Sequence, residues 1–187
     1  MLTHRLKKII FFTTIVLIFS GSIGTYVYYT NKQLNAIYDF NPERDTQAIM
    51  NIFHKNWYWL LASPQSSPAF MIKNRTYDTN PLHFGTLHIK VLYQNNTLAG
   101  FTAYHLGTTS QEGRILFVAV DETFRGKGYG KMLTQHAMEK LFEMGVTHIA
   151  LWTRVGNLAA QHIYKGLGFK EIFDENGYLF LQYWPNK

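Results

Sequence analysis

From residue 9 to residue 29 the chain carries no charged side chain. As a helix those residues would span about 31 Å, enough for a hydrocarbon core of about 30 Å. Beyond this run the apolar positions recur in short patterns. Residues 36–40 predict a strand, and Asn41-Pro42-Glu43 opens a helix with a cap, a first-turn proline and an early acid. Ile49, Ile52, Phe53 and Leu60 continue one face of it, until a Pro/Ser-rich loop at 63–68 breaks the pattern. Residues 87–93 and 97–106 alternate as two strands around Gln94-Asn95-Asn96, a hairpin signal. After a loop at 107–113, the nearly continuous apolar run 114–120 predicts a central strand. Leu133, Ala137, Leu141 and Met144 recur at helical spacing, 148–153 predicts another buried strand, and a helix follows from Asn157 to about residue 166. Strands at 169–173 and 178–183 surround Glu175-Asn176-Gly177. The order from residue 36 is β, α, loop, β, β, β, α, β, α, β, β, which predicts an α/β domain: one mixed sheet with helices on both faces.

Charge at the start of the chain changes this picture. Arg5, Lys7 and Lys8 precede the apolar run, Lys32 follows it, and Tyr26, Tyr28 and Tyr29 stand where an interfacial aromatic belt would lie. The expected organisation is a basic tail at 1–8, a single membrane-spanning helix at 9–29 and a folded domain at 30–187. A cleavable signal is the other reading, with a basic region up to Lys8, an apolar core from Ile9 to Phe19 and small residues at Ser20-Gly21-Ser22. The net charge of +6 belongs largely to these flanks: without those four cations, 14 basic residues face 12 acidic ones. A basic patch for nucleic acid is therefore not expected. The absence of cysteine excludes thiol catalysis, disulfides and thiolate metal sites. The histidines, at 4, 54, 83, 88, 105, 136, 148 and 162, show no metal-ligand spacing, so no metal is expected.

The densest chemistry lies in Val118-Ala119-Val120-Asp121-Glu122-Thr123-Phe124-Arg125-Gly126-Lys127-Gly128-Tyr129-Gly130, which leads from a strand into a helix. Glycines without Cβ atoms let a bulky anion approach the backbone, and the helix start offers unpaired N–H groups and a positive dipole end. Together they predict a pyrophosphate cradle, with Arg125 at its lip as a charge-assisted donor. A P-loop does not fit, because Lys131 is followed by Met132, and neither does a Rossmann glycine pattern. Farther on, Asn157, Ala160 and Tyr164 share one helical face, and a phenol there can donate a proton to a leaving group.

Arg125-Gly126-Lys127-Gly128-Tyr129-Gly130 resembles the Arg/Gln-x-x-Gly-x-Gly/Ala acetyl-CoA motif of the GNAT acetyltransferases. Asn157-Leu158-Ala159-Ala160-Gln161-His162-Ile163-Tyr164-Lys165-Gly166-Leu167-Gly168-Phe169 is similar to that family's Asn-x-x-Ala-x-x-x-Tyr-x-x-x-Gly-Phe at every spaced position. The resemblance covers about residues 34–184. It implies an N-acetyltransferase with acetyl-CoA as cosubstrate and an amine acceptor, small molecule or protein. It also implies that Val118 and Val120 bond the pantetheine arm through their backbones, that the amides from Gly126 through Lys127, Gly128 and Tyr129 to Gly130 hold the pyrophosphate, that Asn157 contacts the pantetheine, and that Tyr164 protonates the departing thiolate. Several amine-acetylating relatives carry a Glu on the strand before the Asn helix, where this chain has Trp152. His105, Asp121 and Glu122 are candidate substitutes, and no base is assigned. Trp57, Tyr58 and Trp59 are candidates for an acceptor pocket or for plain packing. A non-catalytic acyl-CoA sensor on the same fold is the alternative function. The charge bias predicts a cytoplasmic N-terminus and so a domain on the far side from cytosolic acetyl-CoA; the sequence leaves the side of the domain open.

Overall fold

The computed structural model describes residues 36–60, 84–107 and 111–185, together with Ile72. The tail and membrane helix expected at 1–29, and the loop expected at 63–68, lie outside the described residues. Among the described residues no helix is long and apolar enough to cross a membrane. All the described elements belong to one compact unit, Leu34–Lys187.

In chain order these elements are β1 (Ala36–Asp39), α1 (Pro42–Leu60), β2 (Phe84–Gln94), β3 (Thr97–Leu106), β4 (Glu112–Val120), a 3-10 turn (Glu122–Phe124), α2 (Tyr129–Glu143), β5 (His148–Arg154), α3 (Leu158–Gly166), β6 (Lys170–Glu175) and β7 (Tyr178–Tyr183). The predicted order holds, with shifted ends: Met144 is the cap of α2 rather than part of its core face, and β2 begins three residues before the alternating run.

Helix α1 begins where its first-turn chemistry dictates. Asn41 Oδ1 accepts from the amides of Glu43 and Arg44, both at 3.0 Å. Asp45 reaches back to the Asn41 amide at 2.7 Å and also accepts from the Tyr93 hydroxyl at 2.6 Å, which ties the helix start to β2. Burial pushes the Asp45 carboxyl up, but hydrogen bonds from Arg44, the Asn41 amide and Tyr93 outweigh it and hold the group below the ordinary carboxylate value. The two tight hairpins turn through residues with positive φ: Asn95 and Asn96 between β2 and β3, Asn176 and Gly177 between β6 and β7. Asn and Gly tolerate that conformation, and its twist matches the flanking strands.

The strands form one sheet in the order β1-β2-β3-β4-β5-β7-β6. Every pairing is antiparallel except β4 with β5. On one face α1 packs Ile49, Ile52 and Phe53 against Val91, Phe101 and Phe117. On the other, Leu141 of α2 and Tyr164 of α3 meet Ile115, Ile149, Leu151 and Leu181. Helices on both faces of a mixed sheet are thus observed, as the element order predicts.

The feature that positions the site is a parting of β4 from β5. They are paired only from Glu112↔His148 to Ile115↔Leu151. Beyond that point β4 stays with β3 up to Gly100↔Val120, while β5 stays with β7 up to Arg154↔Tyr178. Leu116 sits at the parting as an extra residue, because Ala103 opposes Phe117 and Tyr104 opposes Ile115. Such a bulge bends the strand that carries it and increases its twist. Ile115 consequently faces the α2 side, whereas Phe117 faces α1, its ring edge-on to Phe53 at 5.2 Å.

Candidate active site

Both helices that follow the parallel pair begin at the opened end of the sheet. Helix α2 starts after the Arg125–Gly130 segment and α3 after Asn157, so their N-terminal dipole ends flank the parting. Neither has an acidic residue in its first turn, and α2 has no side-chain cap. The first intrahelical bond of α2 runs from Met132 N to Gly128 O at 3.0 Å. The amides of Tyr129, Gly130 and Lys131 precede it and have no acceptor within the helix.

The glycines there serve two different purposes. Gly126 and Gly128 have φ of 77° and 80°, a region that L side chains rarely adopt, and a Cβ on either would project into open space. Gly130 instead lets α3 come close, since a Cβ there would stand 3.0 Å from Ile163 Cδ1. The anion-sized space expected from the sequence is therefore over the first two, while the third is a packing contact.

A cleft of ≈ 1070 Å³ fills the parting. Its walls bring together Val118, Val120, Arg125, Gly126, Gly128, Tyr129, Gly130, Asn157 and Tyr164, all identified from sequence. Lys127 is exposed and does not line the cleft; its ammonium lies 5.2 Å from the centre of the Phe124 ring. The edge of β4 is open there in a definite phase. Asp121 N donates to Ala99 O of β3 at 2.9 Å, so by strand alternation Ala119 and Phe117 turn their backbone groups towards β3. Those of Val118 and Val120 point into the parting, where an extended ligand could pair with them. Arg125 already reaches that edge, with Nε donating to Val120 O at 3.4 Å and Nη2 donating to Asn56 Oδ1 at 2.7 Å.

Asn56 was not singled out by sequence reasoning. It is buried on α1, donates to Ile52 O at 2.6 Å, and carries the Arg125 guanidinium on its other end. The available signal was a polar residue in register with Ile49, Ile52, Phe53 and Leu60, on a stripe that should be apolar. Asn157 caps α3, its Oδ1 accepting from Ala160 N at 3.3 Å.

Tyr164 is buried on α3 beside Phe169 and faces the cleft. Burial alone pushes its phenol up to about 12. The group keeps its proton at neutral pH and can donate it in a hydrogen bond to a leaving sulfur. A free thiol ionises at about 8.5, so complete transfer from such a phenol to a thiolate would be uphill by roughly 5 kcal/mol. A hydrogen bond that spreads the sulfur's charge is the better description of what Tyr164 can do.

The acceptor side is less like the expectation. His105 is buried, its Nδ1 lies 2.5 Å from the Leu106 carbonyl oxygen, and it does not line the cleft, which removes it as a base. Asp121 accepts from the Thr123 amide and hydroxyl, and Lys55 lies 3.4 Å from it and 3.0 Å from Glu122; neither acid lines the cleft. Trp59 does line it, whereas Trp57 and Tyr58 do not. Tyr58 instead stacks over Arg154, whose guanidinium lies 4.4 Å from its ring and 4.7 Å from that of Tyr178. Trp152 is 41% exposed at the cleft wall and forms an aromatic row with Phe180 and Phe173. Among the described residues no group of three or more His, Asp or Glu side chains could hold a metal ion.

Comparison with known proteins gives this geometry a context. The pattern of the acetyltransferase (GNAT) family matches residues 46–169. The chain is 29% identical over 115 residues to the [ribosomal protein bS18]-alanine N-acetyltransferase of Escherichia coli K12, covering 61% of this chain and 74% of that protein. Among solved structures, PaiA N-acetyltransferase from Thermoplasma acidophilum in complex with coenzyme A superposes with a TM-score of 0.66 at 15% identity, over 81% of this chain and 99% of that one. The ribosomal-protein-S18-alanine N-acetyltransferase from Escherichia coli does so with 0.61 at 23% identity, over 80% and 92%.

Proposed function

This chain belongs to the acetyltransferase (GNAT) family and is an N-acetyltransferase, and from that premise we propose that it moves an acetyl group from acetyl-CoA to the α-amino group of a polypeptide by direct attack on the thioester. The observation that carries this reading is the parting of β4 from β5, which opens a strand edge beside an uncapped helix N-terminus within one cleft.

In this reading the pantetheine arm lies along β4 as an added strand, bonded to the backbones of Val118 and Val120. The pyrophosphate sits on the amides from Gly126 through Lys127, Gly128 and Tyr129 to Gly130, with Arg125 held over the opening by Asn56. Asn157 meets the pantetheine at the start of α3. The thioester then lies near Tyr164, which donates a hydrogen bond to the sulfur as the C–S bond breaks. The apolar run at residues 9–29 anchors the domain to a membrane.

Two arguments favour an α-amine over a lysine side chain. The Escherichia coli relative acts, by its name, on an alanine of a ribosomal protein. Moreover, the attacking nitrogen must be neutral. At pH 7.5 about a third of α-amino groups are neutral, against about one in a thousand lysines. A cleft poor in bases suits the former.

The test is thiol release from acetyl-CoA in the presence of a peptide with a free N-terminal alanine. The chain has no cysteine, so it adds no background thiol. Release that disappears when the peptide's N-terminus is blocked supports the reading. Transfer confined to lysine side chains would overturn the acceptor assignment, and no release with any amine would overturn the transfer itself.

A further inference from the structure

If the amine must lose a proton and β5 carries Trp152, some other group has to receive it. The cleft offers one carboxylate. Among the described residues that line it, Glu175 is the sole acidic side chain, and no histidine joins it. Three other acids near this end of the molecule are committed elsewhere: Asp121 to Thr123 and Lys55, Glu122 to Lys55, Glu171 to Lys165.

Strand register decides which way Glu175 points. It opposes Tyr178 across the β6–β7 pair, and Tyr178 opposes Arg154 across the β7–β5 pair. Directly opposed residues share a face of the sheet. That face is the one covered by α1, because the Arg154 guanidinium lies between the rings of Tyr178 and Tyr58. Asp174, one residue earlier, opposes Leu179, which belongs to the core on the α3 side. Glu175 therefore shares a face with Trp152, Phe180 and Phe173, across the sheet from Tyr164. The charged and titratable groups that face it are Arg154 from β5, Tyr178 from β7 and Tyr58 from α1. Among the described residues no ion pair or hydrogen bond engages its carboxylate.

We infer that Glu175 is a catalytic residue: its carboxylate receives the proton of the acceptor's ammonium, on the opposite face of the sheet from the sulfur's donor. This inference rests on the transferase reading above. One proton of the ammonium passes to the Glu175 carboxylate in step with the attack that consumes the neutral amine. Its nitrogen forms the new bond to the thioester carbon, and the C–S bond breaks with its electron pair going to sulfur. The acylated nitrogen loses its second proton, and the thiolate, hydrogen-bonded by Tyr164, gains one to leave as the free thiol. Glu175 returns its proton to water. The exposed position in the β6–β7 turn region suits such a return.

The experiment compares the full chain with its Glu175→Gln variant, using acetyl-CoA and the alanine-led peptide at pH 7.0 and pH 9.5. About one in ten α-amino groups is already neutral at pH 7.0, so removing the base should lower kcat/KM by about five- to tenfold there. At pH 9.5 the peptide amine is already neutral, and the variant should match the wild type within about twofold. Coenzyme A affinity, read by calorimetry, should not change. A deficit of equal size at both pH values would overturn the proton role, and so would full activity of the variant at pH 7.0. An inactive wild type would instead overturn the transferase reading on which this one stands.

Discussion

Replacing Tyr164 with Phe removes one oxygen and leaves the ring. The ring packs beside Phe169, with centroids 5.9 Å apart, in a core that includes Leu151, Leu179 and Leu181, and Phe preserves those contacts. The lost hydroxyl is a desolvated phenol whose burial already pushes its ionisation up to about 12, so the fold should change in stability by no more than about 1 kcal/mol. A hydrogen bond to a charged partner is worth about 1.5–3 kcal/mol, and the sulfur carries its charge only as the C–S bond breaks. The acyl-transfer step should therefore slow about 10- to 100-fold, with the coenzyme A dissociation constant unchanged within about twofold. Single-turnover thiol release under saturating acetyl-CoA reads that step without interference from product release. Because the phenol holds its proton far above neutrality, Tyr164 should impose no loss of rate between pH 8 and pH 10. A Phe variant that transfers at the wild-type rate would refute the role. A variant that loses only coenzyme A affinity would show that Tyr164 shapes the cleft rather than helping the sulfur leave.

Three further perturbations probe the rest of the molecule. Gly128→Val forces a β-branched residue to φ of 80° and fills the space over the α2 N-terminus, so coenzyme A affinity measured by calorimetry should fall by at least tenfold; unchanged affinity would place the pyrophosphate elsewhere. Asn56→Leu fits the apolar stripe of α1 but frees Arg125, and should weaken coenzyme A binding about tenfold while thermal stability stays near wild type. Asp45→Asn should destabilise the domain by about 2–4 kcal/mol, because three donors converge on a buried carboxylate. The Asp45 carboxyl ionises below its unfolded value, so its stabilisation is present above the unfolded value and disappears as pH falls through the folded one; chemical unfolding of wild type and variant should converge in acid.

Much of the binding half of the site was legible in the chain. A strand, a glycine-bearing corner and a helix are contiguous from Val118 to Gly130, so their geometry follows from local rules about positive φ, missing Cβ atoms and unpaired amides. The same holds for Asn157 and Tyr164, which helical periodicity places on one face. Even there the reasons were incomplete: Gly130 looked like part of the anion cradle, and only its 3.0 Å approach to Ile163 shows that it lets α3 pack. The acceptor half was hardly legible. Arg154, Tyr178 and Glu175 lie on three strands, and nothing in their spacing along the chain announces that they form one row. His105, on a predicted strand, was one of three candidate bases with none assigned, and it is buried away from the cleft.

By itself, then, the amino-acid sequence determined the order of elements, the helix caps, the positive-φ turns and the family, all of which depend on residues a few positions apart. Tertiary structure alone decided that β4 and β5 separate after Ile115 and Leu151, because that depends on each strand keeping its other partner. It also decided which side chains share the resulting cleft, Asn56 from α1 and Glu175 from β6 among them. The physical reason is that strand register and sheet order are set by packing across the whole core, and a chain read locally contains no record of which strand lies beside which.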